Sequence, residues 1–493
     1  MGAWHEVRSV MRLRILQLVA LTGGLAFVGG YSFYIKLCVI DNDIWWHLKV
    51  GDWIVEHLAV PHTGILSRTA ATRPWVAYSW GYEVLMSFAY KWLGLLGIGL
   101  YGTVLTIAVA YSVYWMLRYV SGRFWISLTM AGIACSAFLF NGMPRPVFFS
   151  MVLFCVTLAL LIEAIREGKV QRLYWLPLIF VLWANLHIQF IYGLFLVGLL
   201  LVTVAAQKLV TRWNFASEMI LPTALEPLPI AGIFAACVVA TLIGPNFYHP
   251  YIAVFEYSKA KFAYAAIIEL QPLSFRGISH YVELLLAGFG FFAVGWRKKI
   301  DLFKLTMMTI CSVVAFRTMR DAWFVVIPAA ACIVDFPAPE SERDPAENWM
   351  QNFGVAAAVA VLLLIIAPQT KFTERELDRA ISNLYPVNAV NFLRRNPQPG
   401  PLYNNLGWGG FLIWYMPDYP VAIDGRNDLY GDEIDQVFYA SENADTGYKT
   451  DPYLNESGVV LLDASLPLAK VLTIDPRFRL IYQDAQSVVY ARR

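Results

Sequence analysis

Apolar residues run through this chain in long blocks, separated by short polar connections. The blocks fall at Ile15–Val39, Leu95–Leu117, Phe124–Phe140, Val147–Ile165, Leu173–Leu186 and Phe190–Ala206. Others follow at Ile230–Ile243, Tyr281–Trp296, Leu302–Ala315, Ala322–Val334 and Val355–Ala367. Blocks of this length and polarity predict about eleven membrane-spanning helices. Two connections are much longer than the rest. Residues 41–94 form a Trp-rich loop with two amphipathic helices expected in it, Ile44–His57 and Glu83–Trp92, and turn chemistry between them at Pro61-His62-Thr63-Gly64. Residues 244–280 form the second long connection, with an interfacial helix at Ala253–Ile268 or a lid as its two readings.

Beyond Ala367 the pattern changes to short amphipathic segments. Helices are expected at Glu374–Ser382 and Val387–Arg395. Strands are expected at Val421–Ile423, Gly458–Leu462, Arg479–Tyr482 and Ser487–Tyr490. The division is therefore a transmembrane module over 1–367 and a small α/β domain over 368–493. No internal repeat is visible, which removes the main support for an inverted-repeat transporter.

Composition agrees with a polytopic α-helical membrane protein: of 493 residues, 58% are hydrophobic and 15% charged. A net charge of +2 gives no sign of a nucleic-acid partner. The six cysteines lie in or beside apolar blocks with no metal-ligand spacing. Basic clusters at alternate short connections predict a cytoplasmic N-terminus. An odd number of spans then predicts that the C-terminal domain and both long connections are extracytoplasmic.

The candidate chemistry starts at Ile40-Asp41-Asn42-Asp43-Ile44-Trp45-Trp46-His47. Carboxylates this close to hydrocarbon are costly and call for a reason. Capping of the following helix by Asp43 and interfacial anchoring by the tryptophans are the plain readings. The expected topology puts further polar groups on the same side: Arg145 in a turn, His187 and Gln189 in a tight hairpin, Asn246, His249 and Glu269 in the second long connection, and Arg317, Arg320 and Asp321 at a span end. Arginine and histidine near a carboxylate suit a lipid-phosphate substrate, because guanidinium forks hold phosphate bidentately. Asp41 or Asp43 then takes the proton of an acceptor hydroxyl as general base. Alternatively the two hold a divalent cation, Mg or Mn, on the phosphate. In the C-terminal domain, Asn404-Asn405-Leu406-Gly407-Trp408-Gly409-Gly410 and Asp424-Gly425-Arg426-Asn427-Asp428 are first of all tight turns. A glycan or acceptor contact by Trp408, Asp424 and Arg426 is the second reading.

One span, a loop opening with a carboxylate motif, many spans and a C-terminal soluble domain: this order resembles the GT-C superfamily of membrane glycosyltransferases. Asp43-Ile44-Trp45-Trp46-His47-Leu48, Arg73-Pro74-Trp75, Trp80 with Glu83, Met319-Arg320-Asp321 and Ala422-Ile423-Asp424-Gly425-Arg426 resemble uncharacterised bacterial membrane proteins of GT-C type. The resemblance implies a bacterial inner-membrane protein with an essential carboxylate at Asp41 or Asp43, and adds Trp46 and Glu83 to the candidate site, in which His47 already stands with Asp41 and Asp43 in the same polar layer. It implies an inverting transfer of sugar from a polyprenyl-phosphate donor to a glycan, lipid or protein acceptor. A non-catalytic relative that binds or transports a lipid-linked glycan is the alternative.

Overall fold

The computed structural model describes residues 2–35, 41–139, 143–213, 218–336, 349–366 and 373–493. Asn141, Gly142, Arg343 and Cys38 lie outside them. Each apolar block of the sequence falls on a helix. Five of these helices are long and apolar enough to cross a membrane: Met11–Tyr34, Trp80–Ser121, Val147–Glu167, Phe190–Arg212 and Ile278–Gly295. The block beginning at Val355 falls on the 18-residue helix Trp349–Ile366, and the other expected spans coincide with shorter helices. Phe124–Phe138 and Pro227–Thr241 have 15 residues each, and the block at Leu173–Leu186 begins as a 3₁₀ turn, leaving an α-helix of 11 residues from Leu176. The chain is thus that of a multi-pass membrane protein, and five helices among the described residues meet this measure of length and hydropathy.

The chain divides into two compact units. The first comprises residues 1–35, 102–244 and 269–372 and is helical. Its helices pack through small residues, as expected where lipid supplies no hydrophobic drive for association. A Cβ on Gly290 would lie 3.1 Å from Ala329 Cα, so Ile278–Gly295 and Trp323–Val334 approach closely there. An ion network centred on Asp335 ties several helix ends together: Arg166 and Arg297 each reach its carboxylate at 2.9 Å, and Lys304 joins them.

The second unit comprises residues 36–101, 245–268 and 373–493. In this grouping the first long connection and residues 245–268 of the second go with the C-terminal segment, so the unit is wider than a boundary near residue 367 implies. Its sheet has the order β1-β2-β4-β3, with β1 Leu402–Asn404, β2 Val459–Asp463, β3 Phe478–Gln483 and β4 Ser487–Arg492. β1 and β2 are parallel and the other pairs antiparallel. Val421–Ile423, expected as a strand, forms only a single bridge, from Val421 to Ser67 of the first loop. The Arg68 amide donates to Val421 O at 2.8 Å and Thr69 Oγ1 to Ala422 O at 2.5 Å, so that stretch hydrogen-bonds the loop instead of a sheet. Helix Asp43–His57 packs against helix Gly409–Tyr415. Fully buried Trp45 meets the edges of Tyr385, Phe411 and Tyr415. Helix Trp80–Ser121 begins in this unit and breaks at Gly94, whose φ of 59° suits glycine.

Candidate functional site

The opening motif folds differently from a simple helix cap. The helix starts at Asp43 itself, with Asn42 before it supplying no side-chain cap. Asp41 is buried, and its Oδ1 accepts the Asp43 amide at 3.2 Å. The Asp43 carboxylate, half-buried in the first helical turn, accepts the Trp46 indole N–H at 3.1 Å. A negative charge there is favoured by the helix dipole. The bond back from Trp46 fixes the direction of the carboxylate.

From Asp43 a continuous cluster extends through the second unit. The Trp46 ring stacks on His47 at 3.6 Å between centroids, and His47 Nδ1 meets Glu83 Oε1 at 3.0 Å, both side chains buried. The other carboxylate oxygen, Glu83 Oε2, is buried with no hydrogen-bond partner among the described residues. Trp46 also meets Trp75 edge-on at 6.1 Å. The guanidinium of Arg426 lies 4.8 Å from the Trp75 ring, within the range of a cation–π contact. Arg426 itself is fully buried. It donates to Asp424 through Nε at 2.8 Å and Nη2 at 2.7 Å, while Tyr430 donates to the same carboxylate at 2.6 Å. Arg426 Nη1 is buried without a partner among the described residues. Burial lowers the Arg426 pKa, but the Asp424 carboxylate, together with Tyr430 and Asp428, holds it above its ordinary value.

Gly425 is what lets the C-terminal turn reach the first loop. A Cβ at Gly425 would lie 2.0 Å from Asp43 Oδ1 and 3.5 Å from Trp46 Nε1. A Cβ at Gly410 would likewise lie 2.3 Å from the Asn42 carbonyl oxygen. Two motifs more than 380 residues apart in sequence, Asp41-Asn42-Asp43 and Asp424-Gly425-Arg426, therefore meet.

The other candidates fall as follows. Asn246 is buried and donates to Ala77 O at 2.9 Å, and His249 Nδ1 lies 2.9 Å from the Asn246 carbonyl, so both anchor the second connection within this unit. Trp408 is buried and donates to Leu384 O, which makes it a packing residue of the C-terminal segment. Arg145, His187, Gln189, Glu269, Arg317 and Arg320 belong to the first unit. There Arg145 pairs with Glu269 at 3.0 Å. His187 Nδ1 lies 2.8 Å from Ser150 Oγ, which also accepts the Trp183 indole. Asp321 accepts from Gln189 at 3.0 Å and Thr318 at 2.7 Å, and Arg320 is close enough to act electrostatically on both His187 and Asp321. Asp41 and Asp43 acquire no third ligand-type side chain: no group of three or more His, Cys, Asp or Glu among the described residues is set to hold a metal.

The structure also brings in residues that the sequence reading passed over as sites. Trp75 donates to Asp428 Oδ2 at 3.1 Å. Burial pushes the Asp428 carboxyl up to about 6, and burial together with Asp432 pushes Asp435 up to about 7. The local density of aspartates from Asp424 to Asp435 was the available signal.

The chain is similar along nearly its whole length to two solved structures. One is ArnT from Cupriavidus metallidurans bound to undecaprenyl phosphate, at 13% identity and a TM-score of 0.46, covering 96% of this chain and 97% of that one. The other is the Archaeoglobus fulgidus oligosaccharyltransferase tethered to an acceptor peptide through a disulfide, at 12% identity and a TM-score of 0.49, covering 96% and 74%. These similarities assign no substrate and no chemistry. No family model and no curated protein matches the chain.

Proposed function

We propose that this protein is a membrane glycosyltransferase that moves a sugar from a polyprenyl-phosphate donor to an extracytoplasmic acceptor. The observation that carries the reading is the meeting of Asp43 with the Asp424-Gly425-Arg426 turn. It brings the carboxylate motif against a turn whose second reading was a glycan contact, and fixes a half-buried carboxylate by an indole N–H and a close-packed turn.

In the proposed reaction Asp43 is the base. The acceptor hydroxyl oxygen attacks the anomeric carbon, and its proton passes to the Asp43 carboxylate. The bond from that carbon to the phosphate oxygen breaks, and the lipid phosphate leaves with the electron pair. Attack opposite the leaving group inverts the anomeric centre. Asp41 is a positioning residue, since its oxygen holds the Asp43 amide. Trp46, His47 and Glu83 form the packed support behind the base. In the first unit Arg320, which follows Arg317 and precedes Asp321 in sequence, is the candidate for the donor phosphate, with Arg317 second. Transfer from a labelled polyprenyl-phosphate sugar by the purified protein in lipid tests the reading. Tight donor binding with no transfer to any acceptor would instead favour a non-catalytic carrier of lipid-linked glycans.

A further inference from the structure

A cavity of about 510 Å³ lies wholly within the second unit. Three stretches distant in sequence line it: the loop Arg73–Val76, the helix His249–Tyr257 with the residues following to Ala260, and Asn427–Asp432. Its volume falls in the range of small-ligand clefts, roughly 300–1,000 Å³.

The lining combines three kinds of partner. Asp432 Oδ2 accepts the Phe262 amide at 2.9 Å, while its Oδ1 is buried with no partner among the described residues. A buried acceptor left in that state is unfavourable, and an O–H donor brought to it relieves the cost. Asp428 is held by the Trp75 indole N–H and stands on the same wall. Arg73 and Lys259 bring donors, and Trp75 brings an aromatic surface. A ligand for this lining has hydroxyl donors for the aspartates, oxygen acceptors for Arg73 and Lys259, and carbon-bound hydrogens for the indole. A phosphate or carboxylate would meet Arg73 and Lys259 but also the carboxylates of Glu256, Asp428 and Asp432, which outnumber them and leave the lining net negative. An apolar chain would leave Asp432 Oδ1 unsatisfied.

We infer that this cavity binds one pyranose unit of an uncharged glycan. Within the glycosyltransferase reading it holds the acceptor, because its three carboxylates disfavour the donor phosphate. That assignment rests on the proposed function, whereas binding of the sugar does not. Trp75 links the cavity to the base, since it meets Trp46, which holds Asp43.

The test uses the full chain in detergent carrying Ala260→Cys at the cavity wall, with maleimide labelling followed over time. The parent chain gives the background. Methyl glucoside, methyl mannoside, methyl galactoside and methyl N-acetylglucosaminide are added singly up to tens of millimolar, beside inorganic phosphate. At least one glycoside should slow labelling several-fold, and phosphate should not. Asp432→Asn, which keeps the size of the side chain, should abolish the protection while leaving the sugar-free labelling rate unchanged. Absence of protection by every glycoside, equal protection by phosphate, or protection that survives Asp432→Asn would each overturn the inference. Glycoside protection in a protein that never transfers sugar would retire the enzymatic reading and leave the sugar site standing.

Discussion

Gly425 stands so close to Asp43 that a methyl group at Gly425 would overlap the carboxylate oxygen, at 2.0 Å. The oxygen it would strike is the one that accepts from Trp46. The carboxylate cannot swing aside without breaking that bond. Gly425→Ala is therefore expected to displace Asp43 and to cost about 1–3 kcal/mol, as small-to-large changes in packed sites do. Thermal unfolding should show the modest destabilisation, and donor turnover should fall far more than donor binding. Wild-type turnover in Gly425→Ala would mean that the turn does not position Asp43.

The His47–Glu83 pair gives a second prediction. His47→Ala leaves the Glu83 carboxyl buried with neither oxygen bonded, since Oε2 has no partner among the described residues. A loss of about 1–3 kcal/mol is expected. Glu83→Gln keeps an oxygen acceptor at nearly the same place and should unfold close to the wild-type temperature. Equal destabilisation by the two variants would show that the charge, not the hydrogen bond, holds the pair.

Arg426 is buried in a forked pair with Asp424. Arg426→Ala strands that carboxylate and should cost about 3–5 kcal/mol, enough to impair folding. Arg426→Lys should rescue little, because an ammonium cannot serve both oxygens in the fork geometry. Expression and melting of the two variants decide this.

Stability should fall as pH rises. Asp428 and Asp435 have folded-state values raised from 3.8 to about 6 and about 7, so between the ordinary value and these the folded state binds more protons than the unfolded one. Their contribution is fully present below about pH 4 and is lost as pH climbs through 6 and 7. Melting temperatures taken from pH 4 to 8 should decline across that window, and Asp428→Asn with Asp435→Asn should flatten the decline.

The positions of the helices were legible in the sequence because long apolar blocks leave the backbone no other way to satisfy its hydrogen bonds in lipid. Two C-terminal helices and three of the strands were legible from their periodicity, whereas β1, only three residues long, was not. Grouping was the hidden part. Ser67, Arg68 and Thr69 look like ordinary loop residues, yet their bonds to Val421 and Ala422 tie the first loop to a stretch expected to be a strand. The cavity was hidden for the same reason: Arg73, Glu256 and Asp432 become neighbours only through long-range packing. Trp408, for which a glycan contact was the second reading after a turn, is buried and donates to Leu384 O.

Arg320 supplies the phosphate prediction. Arg320, adjacent to Asp321 in sequence, is close enough to act electrostatically on both His187 and Asp321, and Asp321 also accepts from Gln189 and Thr318. Arg320→Lys should weaken binding of a polyprenyl-phosphate donor nearly as much as Arg320→Ala, with insertion unchanged. Full donor binding in Arg320→Lys would make this arginine an electrostatic packing residue.

The most direct test of the account is sugar transfer from a radiolabelled polyprenyl-phosphate donor by the reconstituted protein and by Asp43→Asn. The wild type should release lipid phosphate and form labelled product. Asp43→Asn should bind the donor as tightly and transfer about 10²–10⁴-fold more slowly, the range expected for loss of a general base. Transfer by Asp43→Asn at the wild-type rate would contradict the assignment of the base, and absence of transfer by the wild type with every donor and acceptor class would contradict the function itself.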